Sequence, residues 1–178
     1  MIYRKNVLIA IAILIACFLS TFGHTQSFAE QKRTEARVVT VNDGDTVAIQ
    51  MEGREYRTRL IGIDAPEMGQ RPWGGKAKQH LIELMKLANW IVFVETDVVK
   101  YDKYDRLLAY LWTSDNELLN ERMVQDGYAM LFTIQPNSKY ADQFRKAQRT
   151  AREQKSGIWG PDGLKERPLD YKKKHPRL

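Results

Sequence analysis

The sequence predicts a mainly β domain with added helices: a small, antiparallel, five-stranded Greek-key barrel carrying about three helices. Three observations predict it. Short runs of alternating apolar residues are separated by turn pairs such as Asp43-Gly44 and Glu52-Gly53. Those runs fall in two groups with a helix between them, and do not alternate regularly with helices, which argues against a doubly wound parallel sheet. The chain of 178 residues, 43% hydrophobic and 28% charged, suits one domain with appendages and excludes wholesale disorder, collagen and coiled coil.

The elements follow in order. Val38-Val39-Thr40-Val41 reads as a strand ending at the Asp43-Gly44 turn. Residues 46–51 alternate, with Val47, Ile49 and Met51 on one face, and Glu52-Gly53 closes a hairpin to a third strand over 54–63. Residues 64–75, rich in Gly and Pro, are loop. Helical spacing returns at 76–89, where Ala77, Leu81, Leu84, Met85 and Ala88 share a face, and His80 is expected on the solvated side. A strand over 90–96 sets Ile91 and Phe93 opposite Trp90, Val92 and Val94. A polar loop at 99–105 leads to a strand over 106–113, and a short helix at 118–126 is stopped by Gly127. Tyr140, Phe144, Ala147 and Ala151 line a last helix ending near Gly157, and Trp159 is expected to pack the chain end onto the barrel. There is no internal repeat.

The termini are organised differently. Residues 1–29 carry Arg4 and Lys5, no acid, and an unbroken apolar run over 7–19. That run is short for a spanning helix, which needs about 20 residues, and fits the core of a signal peptide. Ser27-Phe28-Ala29 predicts cleavage before Glu30, and hence a secreted or periplasmic protein. Two alternatives stand: lipidation at Cys17 within Leu14-Ile15-Ala16-Cys17, or an uncleaved membrane anchor. The expected organisation is an export segment at 1–29, a polar linker at 30–36, the barrel domain at 37–160 and a basic, solvated tail at 161–178. The formal net charge of +6 divides the same way: +2 in residues 1–29, +4 in residues 165–178, and zero between.

The chemistry is read from the neutral middle. With one Cys and three His (His24, His80 and His175), thiolate zinc sites, intrachain disulfides and His clusters are excluded. Four polar patches remain: 42–47, 59–67, 102–106 and Gln135-Pro136-Asn137. Asp45 sits at a turn and Asp64 at a strand end, and the Glu52-Gly53 hairpin brings both to one end of a sheet. Two carboxylates with a nearby carbonyl suit a hard cation, Ca²⁺ or Mg²⁺. Glu67, beside the stiff Pro66, is placed to act on water as a general base. Arg59 and Arg106 carry permanent charge in a fork that matches phosphate oxygens. Acids for metal and water, with arginines for phosphate, are the equipment of phosphodiester hydrolysis. The Gly74-Gly75-Lys76 triplet lacks the rest of a phosphate-loop motif and reads as a turn and helix start.

In this combination and order, Asp43-Gly44-Asp45-Thr46, Arg59 with Asp64-Ala65-Pro66-Glu67, and Asp102-Lys103-Tyr104-Asp105-Arg106 resemble the staphylococcal nuclease (thermonuclease) family, a group of OB-fold nucleases. The resemblance runs from about Arg37 to Trp159. It implies Asp45, Asp64 and the backbone carbonyl of Ala65 as Ca²⁺ ligands, with Asp43 and Thr46 behind them. It implies Glu67 as general base and Arg59 and Arg106 on the scissile phosphate. It also implies Lys103, Tyr104 and Phe132 as substrate-binding residues, DNA and RNA as substrates, and 3′-phosphate products. A monomer is expected. Four features depart from the family pattern. Ile134 stands where an aromatic ring is usual, Asp105 where glycine is common, and Ala65 where threonine is, and the 68–75 loop is short. Asp105 is expected to take the left-handed conformation that such a turn requires. Two other readings remain at this point: an OB-fold module that holds nucleic acid without cutting it, and a membrane-attached adaptor resting on residues 1–29 alone. The full set of Asp45, Asp64, Glu67, Arg59 and Arg106 speaks for the enzyme, since binding alone does not require it.

Overall fold

The computed structural model describes residues 33–176. The readings that concern residues 1–29, Cys17 included, lie outside them. In chain order the elements are β1 (Thr34–Val41), β2 (Thr46–Met51), β3 (Arg54–Leu60), β4 (Gly62–Asp64), α1 (Trp73–Leu87), β5 (Ile91–Tyr101) and β6 (Leu107–Trp112). They continue with α2 (Leu119–Gln125), β7 (Met130–Phe132), α3 (Ala141–Glu153), a 3-10 turn (Gly157–Trp159) and α4 (Pro168–Lys174).

Five strands close a barrel in the order β1-β2-β3-β6-β5, with β1 returning to β5. Every pairing is antiparallel except β3 with β6. This is the predicted barrel, an OB-type arrangement. Its register starts at the β2–β3 hairpin. Glu52 and Gly53 take φ of 51° and 77°, the left-handed pair of a tight two-residue turn, and Met51 faces Arg54. From there the alternation sends Val47 and Ile49 inward, where they meet Leu60, Val92, Ala109 and Leu111, all buried. The α1 helix covers this core with Ala77, Leu81, Leu84 and Met85, as its spacing predicts.

Three expectations are corrected. The strand foreseen over 54–63 is two strands. Gly62 has φ of 81°, and a Cβ there would lie 2.3 Å from the Phe144 ring, so the chain breaks at a glycine that α3 presses upon. Beyond the break, β4 leaves the barrel and pairs with β7, a short strand that three residues of weak pattern did not announce. Buried Asn120 of α2 closes the gap: its Nδ2 donates to the carbonyls of Ile61 (2.9 Å) and Ala109 (3.2 Å), and its Oδ1 accepts from Leu111 N–H (2.9 Å). One side chain thereby replaces the lost ladder bonds.

The C-terminal stretch is the second. It is not a solvated tail. Trp73 Nε1 donates to the Asp162 carbonyl (3.1 Å), Gln70 Nε2 donates to the Glu166 carbonyl (2.8 Å), and Pro168 is buried at the start of α4. Charge alone suggested solvent, but these side chains offer partners to the backbone. His80 also differs from expectation. Its ring stacks on Tyr128 (4.1 Å between centroids), and its Nε2 is 2.8 Å from Asp126 Oδ2.

Candidate active site

The site opens at the end of the barrel where the β1–β2 turn, β4 and the β5–β6 turn meet. The turn is tied first. Asn42 N–H donates to the Thr46 carbonyl (2.9 Å), and Asp43 Oδ1 accepts from Asp45 N–H (3.1 Å). Gly44 abuts Ala65 and Ala77, each of whose Cβ atoms would be 2.7 Å from an added Cβ, so the turn presses directly onto the loop after β4 and onto α1. Asp45, 5% exposed, then reaches across. Its Oδ2 accepts from Ala65 N–H (2.8 Å), and its Oδ1 accepts from Thr46 Oγ1 (3.1 Å).

Arg59, opposite Thr46 in the β2–β3 register, ties the two aspartates together. Its Nη2 lies 3.1 Å from Asp45 Oδ2 and 3.5 Å from Asp64 Oδ1, and donates to the Ile63 carbonyl (2.7 Å), while its Nη1 donates to the Leu60 carbonyl. Asp64, 3% exposed, ends β4. Burial raises its pKa most and Asp45 adds to this, with Lys172 and Arg59 opposing. Burial, then Asp45, likewise raises the Asp43 carboxyl. Burial, with the neighbouring Asp45 carboxylate, thus disfavours the charged form of both groups.

Glu67 stands on the next loop. Its N–H donates to Gln70 Oε1 (2.9 Å), and Gly74 passes so close to its carbonyl that a Cβ would come within 2.1 Å. Its carboxylate and that of Asp64 share one ammonium: Lys172 Nζ is 3.1 Å from Glu67 Oε1 and 2.6 Å from Asp64 Oδ1. On the opposite wall, Asp102 organises the β5–β6 turn. It accepts from the backbone N–H groups of Tyr104 (2.9 Å) and Arg106 (3.0 Å) and from Arg106 Nε (2.8 Å). Burial would raise the Asp102 pKa, but these donors outweigh it and hold it below the ordinary carboxylate value. Asp105 takes φ of 57°, the left-handed conformation expected of it.

Asp43, Asp45, Thr46, Arg59, Asp64, Glu67, Tyr104, Arg106 and Phe132 line one cleft of about 890 Å³. Lys103 and Ala65 stand apart from that lining. Lys103 lies over the Tyr104 ring (5.0 Å), and Ala65 is buried with its N–H on Asp45. Val99, Tyr101 and Ile134 extend an apolar wall beside Tyr104 and Phe132. Asn137 holds that wall, accepting from Val99 N–H (2.8 Å) and donating to its carbonyl (2.7 Å). Asp102, Asn120 and Lys172 are the residues to which sequence reasoning assigned no role here. An Asp two residues before a turn N–H is a usable signal for Asp102, whereas nothing local marks the other two.

Among the described residues, no three His, Cys, Asp or Glu side chains converge as a ready metal cluster. The donor chemistry nevertheless fits a hard divalent cation. Two buried carboxylates offer oxygen at the same place, and the groups already bound to them are cations, Arg59 and the Lys172 ammonium.

Acidic floor, arginines on two sides and an OB-type barrel define a phosphodiester hydrolase of the nuclease class. The family described as Staphylococcal nuclease homologue matches residues 57–161. The chain is 32% identical over 164 residues to the Thermonuclease of Staphylococcus hyicus, covering 86% of this chain and 93% of that protein. It is 35% identical over 161 residues to the Thermonuclease of Staphylococcus intermedius, covering 85% and 92%. It is also 30% identical over 148 residues to Endonuclease YncB of Bacillus subtilis, covering 79% and 69%. The chain belongs to the staphylococcal nuclease family.

Proposed function

We propose that this chain is an exported, Ca²⁺-dependent nuclease that hydrolyses DNA and RNA without regard to the sugar and leaves 3′-phosphate ends, working as a monomer. One observation carries the reading. Arg59 gathers Asp45 and Asp64 within 3.5 Å of its Nη2, on the same cleft that Glu67 and Arg106 line. The two Thermonuclease relatives support it, and a single chain supplies every group required.

Asp45, Asp64 and the Ala65 carbonyl would hold the ion, which when bound would supply Lewis-acid polarisation of the phosphate. Glu67 takes the proton of the attacking water. Arg59 from the floor and Arg106 from the β5–β6 turn neutralise the charge that grows on the phosphate oxygens. Asp43 and Thr46 orient Asp45. Lys103 and Tyr104 bind the neighbouring phosphate, and Phe132 receives a base. The 5′-oxygen departs, and the phosphate stays on the 3′ side. Export rests on residues 1–29, through the basic start, the apolar run over 7–19 and the Ala29 cleavage position.

The test is incubation of the chain with single-stranded DNA in Ca²⁺ or in chelator. Cleavage in Ca²⁺ that chelator abolishes is expected. DNA binding without cleavage overturns the enzyme reading and favours a binding module. Mass measurement of the native N-terminus distinguishes cleavage before Glu30 from lipidation at Cys17 or an intact anchor.

A further inference from the structure

The proposed chemistry requires a hard cation on Asp64 and a Glu67 carboxylate that water can reach. The chain already supplies a cation there. Lys172 of α4 places Nζ between those two carboxylates, 2.6 Å from Asp64 Oδ1 and 3.1 Å from Glu67 Oε1. The contact is a seated one. Gln70 bonds both ends of the arrangement, accepting from Glu67 N–H and donating to the Glu166 carbonyl just before α4. Trp73 holds the Asp162 carbonyl. The Tyr171 hydroxyl lies over Gly69 so closely that a Cβ there would approach it to 2.2 Å. These contacts, made by the loop after Glu67 and the start of α1, aim Lys172 at the floor of the cleft.

We propose that α4 is an internal strap on the active site, in which Lys172 is a tethered cation competing with the divalent ion for Asp64 and occupying Glu67. This rests on the nuclease reading above for its consequence, though not for the contact itself. An ammonium and a divalent ion cannot both lie against one carboxylate oxygen without strong repulsion, because unit charges a few ångströms apart still interact strongly at an effective dielectric near 20. Displacement of the strap is feasible. A helix of seven residues has little stability of its own, and Pro168 is its one fully buried residue. Release also has a destination. Lys173 and Lys174 follow Lys172, and a released basic segment is attracted to the phosphates of the substrate. The strap therefore raises the cation concentration at which the site fills, and polyanion binding lowers it again. Lys172 is a residue that sets the metal response, and it has no place in the bond-breaking step.

The experiment compares the full chain with Lys172→Met, which keeps an apolar stem and removes the charge, and with Tyr171→Ala, which loosens the strap without touching a carboxylate. Ca²⁺ binding is measured by titration calorimetry without nucleic acid, and circular dichroism and thermal melts check the fold. Lys172→Met is expected to bind Ca²⁺ at least about tenfold more tightly, and Tyr171→Ala to shift the same way by less. Should Lys172→Met not fold, Tyr171→Ala carries the test. Ca²⁺ affinity equal to or weaker than that of the unmodified chain overturns the strap, and so does a lack of Ca²⁺ binding by all three proteins. The nuclease reading fails separately. A chain that shows the affinity gain yet cuts no DNA refutes the activity and keeps the strap, whereas normal cutting with unchanged affinity does the reverse.

Discussion

The floor of the cleft and the strap across it are built by opposite means. The floor is held from within the barrel. Asp45 accepts a backbone N–H from Ala65, Arg59 donates to two backbone carbonyls, and Asn120 braces the break from which β4 leads to Asp64. The strap is held from outside, by two side chains that reach the Asp162 and Glu166 carbonyls ahead of it, by Tyr171 over Gly69, and by one ammonium. A site must keep its reacting groups in place while something above it exchanges. A carboxylate held by a backbone N–H, as Asp45 is, serves the first need. A short helix with a single fully buried residue serves the second. The β5–β6 turn stands between them: its Arg106 is oriented by Asp102 but remains partly exposed.

Four measurements test that contrast, in order of falling effect. Glu67→Gln and Arg106→Ala should each lower the cleavage rate by about two orders of magnitude or more, with the melting curve preserved, since the proposed mechanism gives each a part in the bond-breaking step. Single-turnover rates at saturating Ca²⁺ check this, and near-normal turnover in either would mean that the floor and its facing arginine are not the working parts. Next, Asn120→Ala should cost about 3 kcal/mol in urea unfolding, because it removes the amide that satisfies the buried Ile61 carbonyl and Leu111 N–H and one of the two donors to the Ala109 carbonyl. Leu169→Ala, in the strap, should cost under about 1 kcal/mol in the same experiment, being a half-buried side chain on a weakly held element. Comparable losses in the two would erase the distinction between floor and strap.

At the turn the effect is smaller than at Asn120. Asp102→Asn should raise KM for DNA about tenfold with less change in kcat, as Arg106 loses the carboxylate that orients it. The pH dependence follows from its depressed pKa. A carboxylate with a folded pKa below its unfolded one stabilises fully above the unfolded value, near pH 4, and the stabilisation is lost as pH falls through the lower folded value. The stability gap between the unmodified chain and Asp102→Asn should therefore be constant from neutral pH to about pH 5 and shrink below about pH 4. Urea melts across that range measure it, and a gap that widens with acid would show that Asp102 is not held in its charged form.

Much of this was legible from local pattern. The β2–β3 hairpin was readable because Glu52-Gly53 admits the left-handed pair and the flanking alternation leaves one register that buries Val47 and Ile49. That same hairpin brings Asp45 and Asp64 to one end of the sheet through its register alone. Asp105 was readable too, since a residue at that turn has few conformations available. The break at Gly62 was not, because a glycine in a strand pattern does not say whether an aromatic ring lies against it, and here Phe144 arrives from far along the chain. Asn120 looked like an ordinary helix residue until the barrel placed three backbone groups around its amide. The run at 171–175 reads as solvated on charge alone, as does any lysine-rich segment. What put Lys172 against Asp64 is the pair of carbonyls that Gln70 and Trp73 hold about a hundred positions away in sequence.

By itself, then, the sequence determined the barrel, the family and the membership of the acidic floor, because turn chemistry, alternation and the spacing of charged residues act over a few positions and leave a local mark. Only the tertiary structure decided which groups share a charge across the cleft. A buried carboxylate takes whatever cation the fold delivers to it, and delivery from 108 residues away is set by packing and backbone hydrogen bonds, which have no spacing that a linear reading can detect.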